Sequence, residues 1–136
     1  MEYKNKNKIT ARQWYSDIDF NLTPHPSSGD IIVKQDKEAV KRSVRNIMLT
    51  NNFERPFRPN FGANLRGLLF EYADNMTRYE LRQQVIEALN FYEPRVSVSS
   101  IELSDAGRNG LNVNVKYGVR GIKEQQNVEV LLERVR

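Results

Sequence analysis

The chain has 136 residues, 21 basic and 17 acidic, for a net charge of +4, with one histidine and no cysteine. That length suits one domain with a core of its own. Disulfides and thiolate metal sites are excluded, and a single histidine argues against any zinc site. No apolar run is long enough to cross a bilayer. The polar, basic start MEYKNKNKIT lacks the apolar segment of a secretory signal, so the chain is expected to be made and kept in a cytoplasm. The basic excess is small, and neither nucleic acid nor a membrane is an expected partner.

Residues 1–35 read as an N-terminal arm or variable segment, rich in Lys, Asn, Ser and Pro, with the linker-like TPHPSSGD at 23–30. Within it WYSDIDFNL (14–22) alternates at Ile18, Phe20 and Leu22, as a short strand or an arm that orders on a partner. DIIVKQ (30–35) is a second strand candidate. A domain is expected over 36–136. Asp36 reads as an N-cap, and Val40, Val44, Ile47 and Met48 then trace one helix face ending near Thr50. Lys37, Lys41, Arg42 and Arg45 share that helix, as a solvated face or a contact for an acidic protein.

NFERPFRPNFG (52–62) follows. Pro56 and Pro59 oppose a helix, so Phe53, Phe57 and Phe61 are expected to pin an irregular strut onto the core. Gly62 can end the strut with a positive φ. Asn64 then caps a short helix with Leu65, Leu68, Leu69 and Tyr72 inward. Thr77 and Glu80 form a T-x-x-E capping box, and Leu81, Val85, Ala88, Leu89 and Tyr92 make the inner face of a helix that Pro94 stops at Glu93.

The last third reads as β. Val96 and Val98 alternate, and Ile101 and Leu103 continue on the opposite parity, which predicts a bulge at Ser99–Ser100. Asn109-Gly110 predicts a hairpin, Leu111 to Val119 alternates, and GIKEQQN (121–127) reads as a looser turn before Val128, Val130 and Leu132. The fold class is α+β, with helices packed on one face of a small antiparallel C-terminal β-meander.

Converging catalytic groups are missing. His25 lies between prolines in the linker, and no P-loop, G-x-G-x-x-G or G-x-S-x-G pattern occurs. A glycosidase pair could draw on Glu54, Glu71, Asp74 or Glu93. No catalytic residue, metal ligand or cofactor is expected. A terminal strand can template a partner's strand at its open edge, or resist pairing through charges such as Glu129, Glu133, Arg134 and Arg136.

RPFRPNFGANLRGLLFE (55–71), followed by a helix ending in NFYEPRV (90–96), resembles the inner baseplate wedge proteins of contractile phage tails, with relatives in type VI secretion baseplates. The paired motifs are R-P-F-x-P-x-F-G and, about thirty residues on, E-P-R. The resemblance implies a structural subunit of the virion tail baseplate, assembled in the host cytoplasm in a sixfold ring. Its implied partners are the large baseplate wedge proteins, the tail sheath protein, and tube or hub proteins. It also implies that Glu93, Pro94 and Arg95, with Arg55 and Arg58, contact the wedge core, and that the sheet, through Val128, Glu129, Val130, Leu131, Leu132 and Glu133, pairs with a sheath strand. The older lysozyme-like label of that family would make the chain a muramidase, and a distant branch of the fold holds anti-adaptors that block proteolysis. From the residues alone the acid-proline-base corner has two readings. Arg95 docks a partner and can be removed at little cost in stability, or Glu93 braces the fold by pairing with Arg55 or Arg58, and both can hold with Glu93 turned inward and Arg95 outward.

Overall fold

The computed structural model describes residues 15–18, 21–69, 75–107 and 110–133. Trp14, Phe20, Glu71, Tyr72, Asp74, Asn109, Arg134 and Arg136 lie outside the described residues. The elements run β1 (Ser16–Ile18), β2 (Val33–Gln35), α1 (Lys37–Leu49), α2 (Leu65–Leu68), α3 (Asn75–Tyr92), β3 (Val96–Ala106), β4 (Gly110–Val119) and β5 (Ile122–Glu133). β1 and β2 pair antiparallel as a two-stranded sheet, and β3-β4-β5 form an antiparallel meander. The helices and the apolar side of the meander enclose one core, which makes an α+β fold.

Alternation builds the sheet. Leu111, Val113, Val115, Tyr117 and Val119 of β4 are all buried, with Val128, Val130 and Leu132 of β5 beside them. Val40, Val44, Ile47 and Met48 of α1 and Leu81, Val85, Ala88 and Leu89 of α3 close the core from the helix side. Each buried Val, Leu, Ile or Met among them contributes roughly 1.5–3 kcal/mol. The Tyr117 hydroxyl has no hydrogen-bond partner among the described residues. Burial, with the Glu38 and Glu93 charges adding, pushes its pKa up to about 12.

The phase slip in β3 is a bulge. Val98 pairs with Tyr117 and Ser100 with Lys116, leaving Ser99 as the extra residue. It carries the buried side from Val96 over to Ile101 and Leu103, which both pack against the core.

Several local expectations are corrected. Asp36 precedes α1 but makes no side-chain cap, because its carboxylate accepts from the Tyr15 N–H at 3.3 Å. Asn64 precedes α2 in a left-handed conformation, also without a side-chain cap. Thr77 is the third residue of α3 and is buried, so it is not the N-cap of that helix. The hairpin expected at Asn109-Gly110 joins β3 to β4, with Gly110 inside β4, paired with Ala106, and Gly107 after β3 at φ 70°. Residues 122–127 are strand, not turn. Val119 pairs with Ile122 around a two-residue turn in which Gly121 has φ 88°. Lys123, Glu124 and Gln125 face solvent there, which hides the strand from a hydrophobic pattern.

Candidate functional site

The corner after α3 is an ion pair folded inward. Pro94 stops the helix, the Glu93 N–H donates to Leu89 O at 2.9 Å, and the Val96 N–H donates back to Glu93 O at 3.0 Å. This turn aims the Glu93 side chain into the protein, where the residue is only 2% exposed. The Ser43 hydroxyl on α1 donates to it at 2.5 Å. The Arg95 guanidinium grips both carboxylate oxygens, through Nε and Nη2. Burial works against the Glu93 charge, but the Arg95 and Ser43 hydrogen bonds outweigh it and hold the carboxyl below its usual range. Glu93 in turn raises the Arg95 pKa.

Arg95 also lies 4.7 Å from the centre of the Tyr15 ring, and its carbonyl accepts from the Arg120 N–H at 2.9 Å. The corner therefore ties α1, α3 and the start of β3 to the segment before β1. Glu93 is braced as one of the two sequence readings expected, but its partner is Arg95, not Arg55 or Arg58. The Arg95 side chain keeps 36% of its surface in solvent, and Pro94 is exposed.

Arg55 and Arg58 sit in the 51–62 loop, which packs on Tyr92 through Asn60 and Phe61. The loop is closed by Phe53 N–H donating to Pro59 O at 2.6 Å, Arg58 N–H to Arg55 O at 3.3 Å and Phe61 N–H to Arg58 O at 3.1 Å. The Tyr92 hydroxyl donates to Asn60 O, and the Phe61 and Tyr92 rings meet at 4.8 Å. The Arg55 guanidinium lies over the Phe61 ring, 4.0 Å from its centre. Gly62 ends the strut at φ 110°, and a Cβ there would meet Thr50 O at 2.2 Å. Only Phe61 of the three rings packs on the core. Phe53 and Phe57 are 81% and 102% exposed, which corrects the expectation of a triple pin. Both have φ 67°, a region a bulky side chain rarely adopts, and this turns their rings outward.

The third surface is the β5 edge. Among the described residues β5 pairs only with β4. Val128, Val130 and Leu132 point into the core, while Glu129, Leu131 and Glu133 face solvent. A groove of roughly 410 Å³ separates this edge from α1, lined by Lys41, Arg42, Arg45 and Glu129 among others. The basic row of α1 thus faces the β5 edge, with Lys37 tied to Glu124 at 3.1 Å.

Of the four carboxylates the sequence offered for a glycosidase, Glu54 and Glu93 are described, and neither suits the general acid. A general acid needs a raised pKa. Glu54 is held low by hydrogen bonds from Asn51, and Glu93 is held low by Arg95 and Ser43.

Residues 34–124 match the family described as baseplate wedge protein gp25. The baseplate wedge protein gp25 of Enterobacteria phage T4 is 29% identical over 89 residues, 65% of this chain and 67% of that protein. A solved Geobacter sulfurreducens protein, provisionally described as a tail lysozyme, aligns at TM-score 0.70 and 26% identity, over 77% of this chain and 96% of its own. A chain of the anti-feeding prophage baseplate aligns at TM-score 0.68 and 20% identity, over 81% and 89%. One of the post-contraction pyocin R2 baseplate aligns at 0.61 and 21%, over 79% and 100%. At those last two identities the likeness is one of fold.

Proposed function

Because the chain belongs to the baseplate wedge protein gp25 family of contractile tails, we propose that it works purely by binding, with no chemical step, inside a baseplate. The observation that carries this reading is the family match across residues 34–124, which spans both the 51–62 loop and the 93–95 corner. Residues 36–136 form the wedge domain, and 1–35 an arm whose described part is fastened to that domain through Tyr15. The partners are the large wedge proteins, the sheath protein and neighbouring tube or hub proteins, in a sixfold ring assembled in the host cytoplasm.

The wedge core contacts Pro94 and the open side of Arg95, with Arg55 and Arg58 on the adjoining loop. Glu93 supports this contact from inside, since its carboxylate fixes the direction of the Arg95 guanidinium. A fixed fork loses less conformational freedom on meeting a carboxylate or a row of carbonyls. The sheath strand adds along β5 from Val128 to Glu133. What supports this is an edge that, among the described residues, pairs on one side only, with the α1 bases alongside.

A tagged pull-down from the native source, read by mass spectrometry, tests the assignment. Recovery of sheath, tube and large wedge proteins supports it. Recovery of a single proteolysis regulator, or clearing of peptidoglycan by the purified chain, overturns it. For the sheath contact, Leu131→Lys is expected to leave the fold intact, since Leu131 is exposed, and to suppress sheath growth. Sheaths of normal length on that variant would rule out pairing at β5.

A further inference from the structure

We propose that the arm from Tyr15 to Asp36 is a strap closed on Arg95 in the free chain, and that a partner's carboxylate arriving at Arg95 lifts it. This deepens the contact at Arg95 proposed above and rests on that reading. Residues 15–33 lie outside the stretch that matches the family, so the strap adds to what that match describes.

Both ends of the strap meet beside the corner. The Asp36 N–H donates to Tyr15 O at 2.8 Å, and the Asp36 carboxylate accepts from the Tyr15 N–H at 3.3 Å. The Tyr15 hydroxyl donates to Arg120 O at 3.2 Å, and the Arg120 N–H donates to Arg95 O at 2.9 Å. Tyr15 therefore closes on the residues that carry the corner, and the Arg95 guanidinium lies over its ring, 4.7 Å from the centre. The charge of Asp17 on β1 adds to the pull on Arg95. From within the chain, Tyr15 and Asp17 thus offer Arg95 the aromatic ring and the acid that a partner would bring to a guanidinium. Farther along, Arg42 Nη1 donates to Ile18 O at 2.7 Å.

The hold is light. β1 and β2 have three residues each, and a two-stranded sheet of that size is marginal by itself. Of the apolar arm side chains described, Tyr15 alone packs on the core, while Ile18, Leu22 and Ile31 are exposed. Little apolar surface is lost to water when the arm leaves, and segments of that kind open at the low end of a protein's stability range. Asp36 supplies the hinge. It sits at φ 47° and ψ −115°, a strained conformation for a residue with a side chain, which the clasp to Tyr15 maintains. The Glu93–Arg95 pair does not depend on the arm. Opening therefore uncovers the guanidinium and leaves it aimed by Glu93.

The test uses the full chain with Tyr15→Ala and Asp17→Asn together, and the large wedge proteins purified from the native particle as the probe. Their affinity for the variant is expected to rise about threefold or more, because the competent state is no longer selected from a closed one. In the unmodified chain, the amides of 16–18 and of Asp36 should exchange faster once the wedge proteins are bound. Unchanged or weaker binding by the variant, or slower exchange of the arm in the complex, overturns the strap. If the variant binds as the parent does while Arg95→Lys binds weakly, the contact at Arg95 stands without a strap. If Arg95→Lys binds as tightly as the parent, that contact falls and the strap with it.

Discussion

The corner at Glu93–Arg95 and the loop at 51–62 both pack against the last turn of α3, and they dispose of their side chains in opposite ways. The corner takes an acid out of water and satisfies it with Arg95 and Ser43. The loop takes two phenylalanines out of the core and holds them in water on left-handed backbone. A buried charge is tolerable only when its partners are in place, so the corner is stiff and complete before any partner arrives. An exposed ring gains nothing until something covers it. On the proposed wedge reading, the corner is a brace and the loop a face that a partner covers.

Four changes break or sharpen that contrast. Gly62→Ala should be the most damaging, destabilising by about 3 kcal/mol or more, because a Cβ collides with the Thr50 carbonyl at a φ that suits glycine. Denaturant unfolding measures it, and a loss below about 1 kcal/mol would mean that the base of the loop is soft. Arg95→Ala comes next, at about 2–3 kcal/mol, since it strands a buried carboxylate beside Ser43. The same change would cost little if the arginine only faced outward, so thermal melting separates brace from free docking arm.

Acid tests the pair without mutation. Glu93 has a lowered folded pKa, so its contribution is present above the unfolded value near 4.5 and is lost as pH falls through the folded value. Melting temperature should therefore drop between neutral pH and pH of about 3, with a shallower drop in Glu93→Gln. An identical pH profile in the two proteins would remove the ion pair from the account. The smallest effect is on the other side of the contrast. Phe57→Asn should leave stability unchanged or raise it by up to about 1 kcal/mol, as the left-handed backbone relaxes. Destabilisation would mean that the ring makes contacts its full exposure denies.

The periodic parts of the fold were legible in the sequence. The faces of α1 and α3 repeat every three to four residues, β4 alternates over its whole length, and the bulge at Ser99 shows as a parity slip. Elements whose residues carry no period were not. The first half of β5 is polar because Lys123, Glu124 and Gln125 all face solvent on an edge strand, so it reads as a loop. The cap at Thr77 looked sound but fell inside a helix already running from Asn75.

The candidate site was half legible. Pro94 and the E-P-R motif mark the corner where the buried ion pair forms, and the R-P-F-x-P-x-F-G motif marks the 51–62 loop. What failed was the direction of the phenylalanines and the partner of Glu93. Hydrophobicity places Phe53 and Phe57 inside, and that rule loses to local backbone geometry, while Glu93 turns inward as one reading expected but pairs with Arg95. The positive φ of the two phenylalanines has no signature in residue type. A carboxylate two residues from an arginine across a proline was the available clue to a local pair.

Amide hydrogen exchange on the free chain and on the same chain in a purified baseplate wedge tests the division into brace and face most directly. The account predicts that the amides of Glu93 and Val96 are already protected in the free chain and change little. Those of the 51–62 loop should slow markedly on assembly. A loop that exchanges equally fast in both states, or a corner protected only in the wedge, would contradict it.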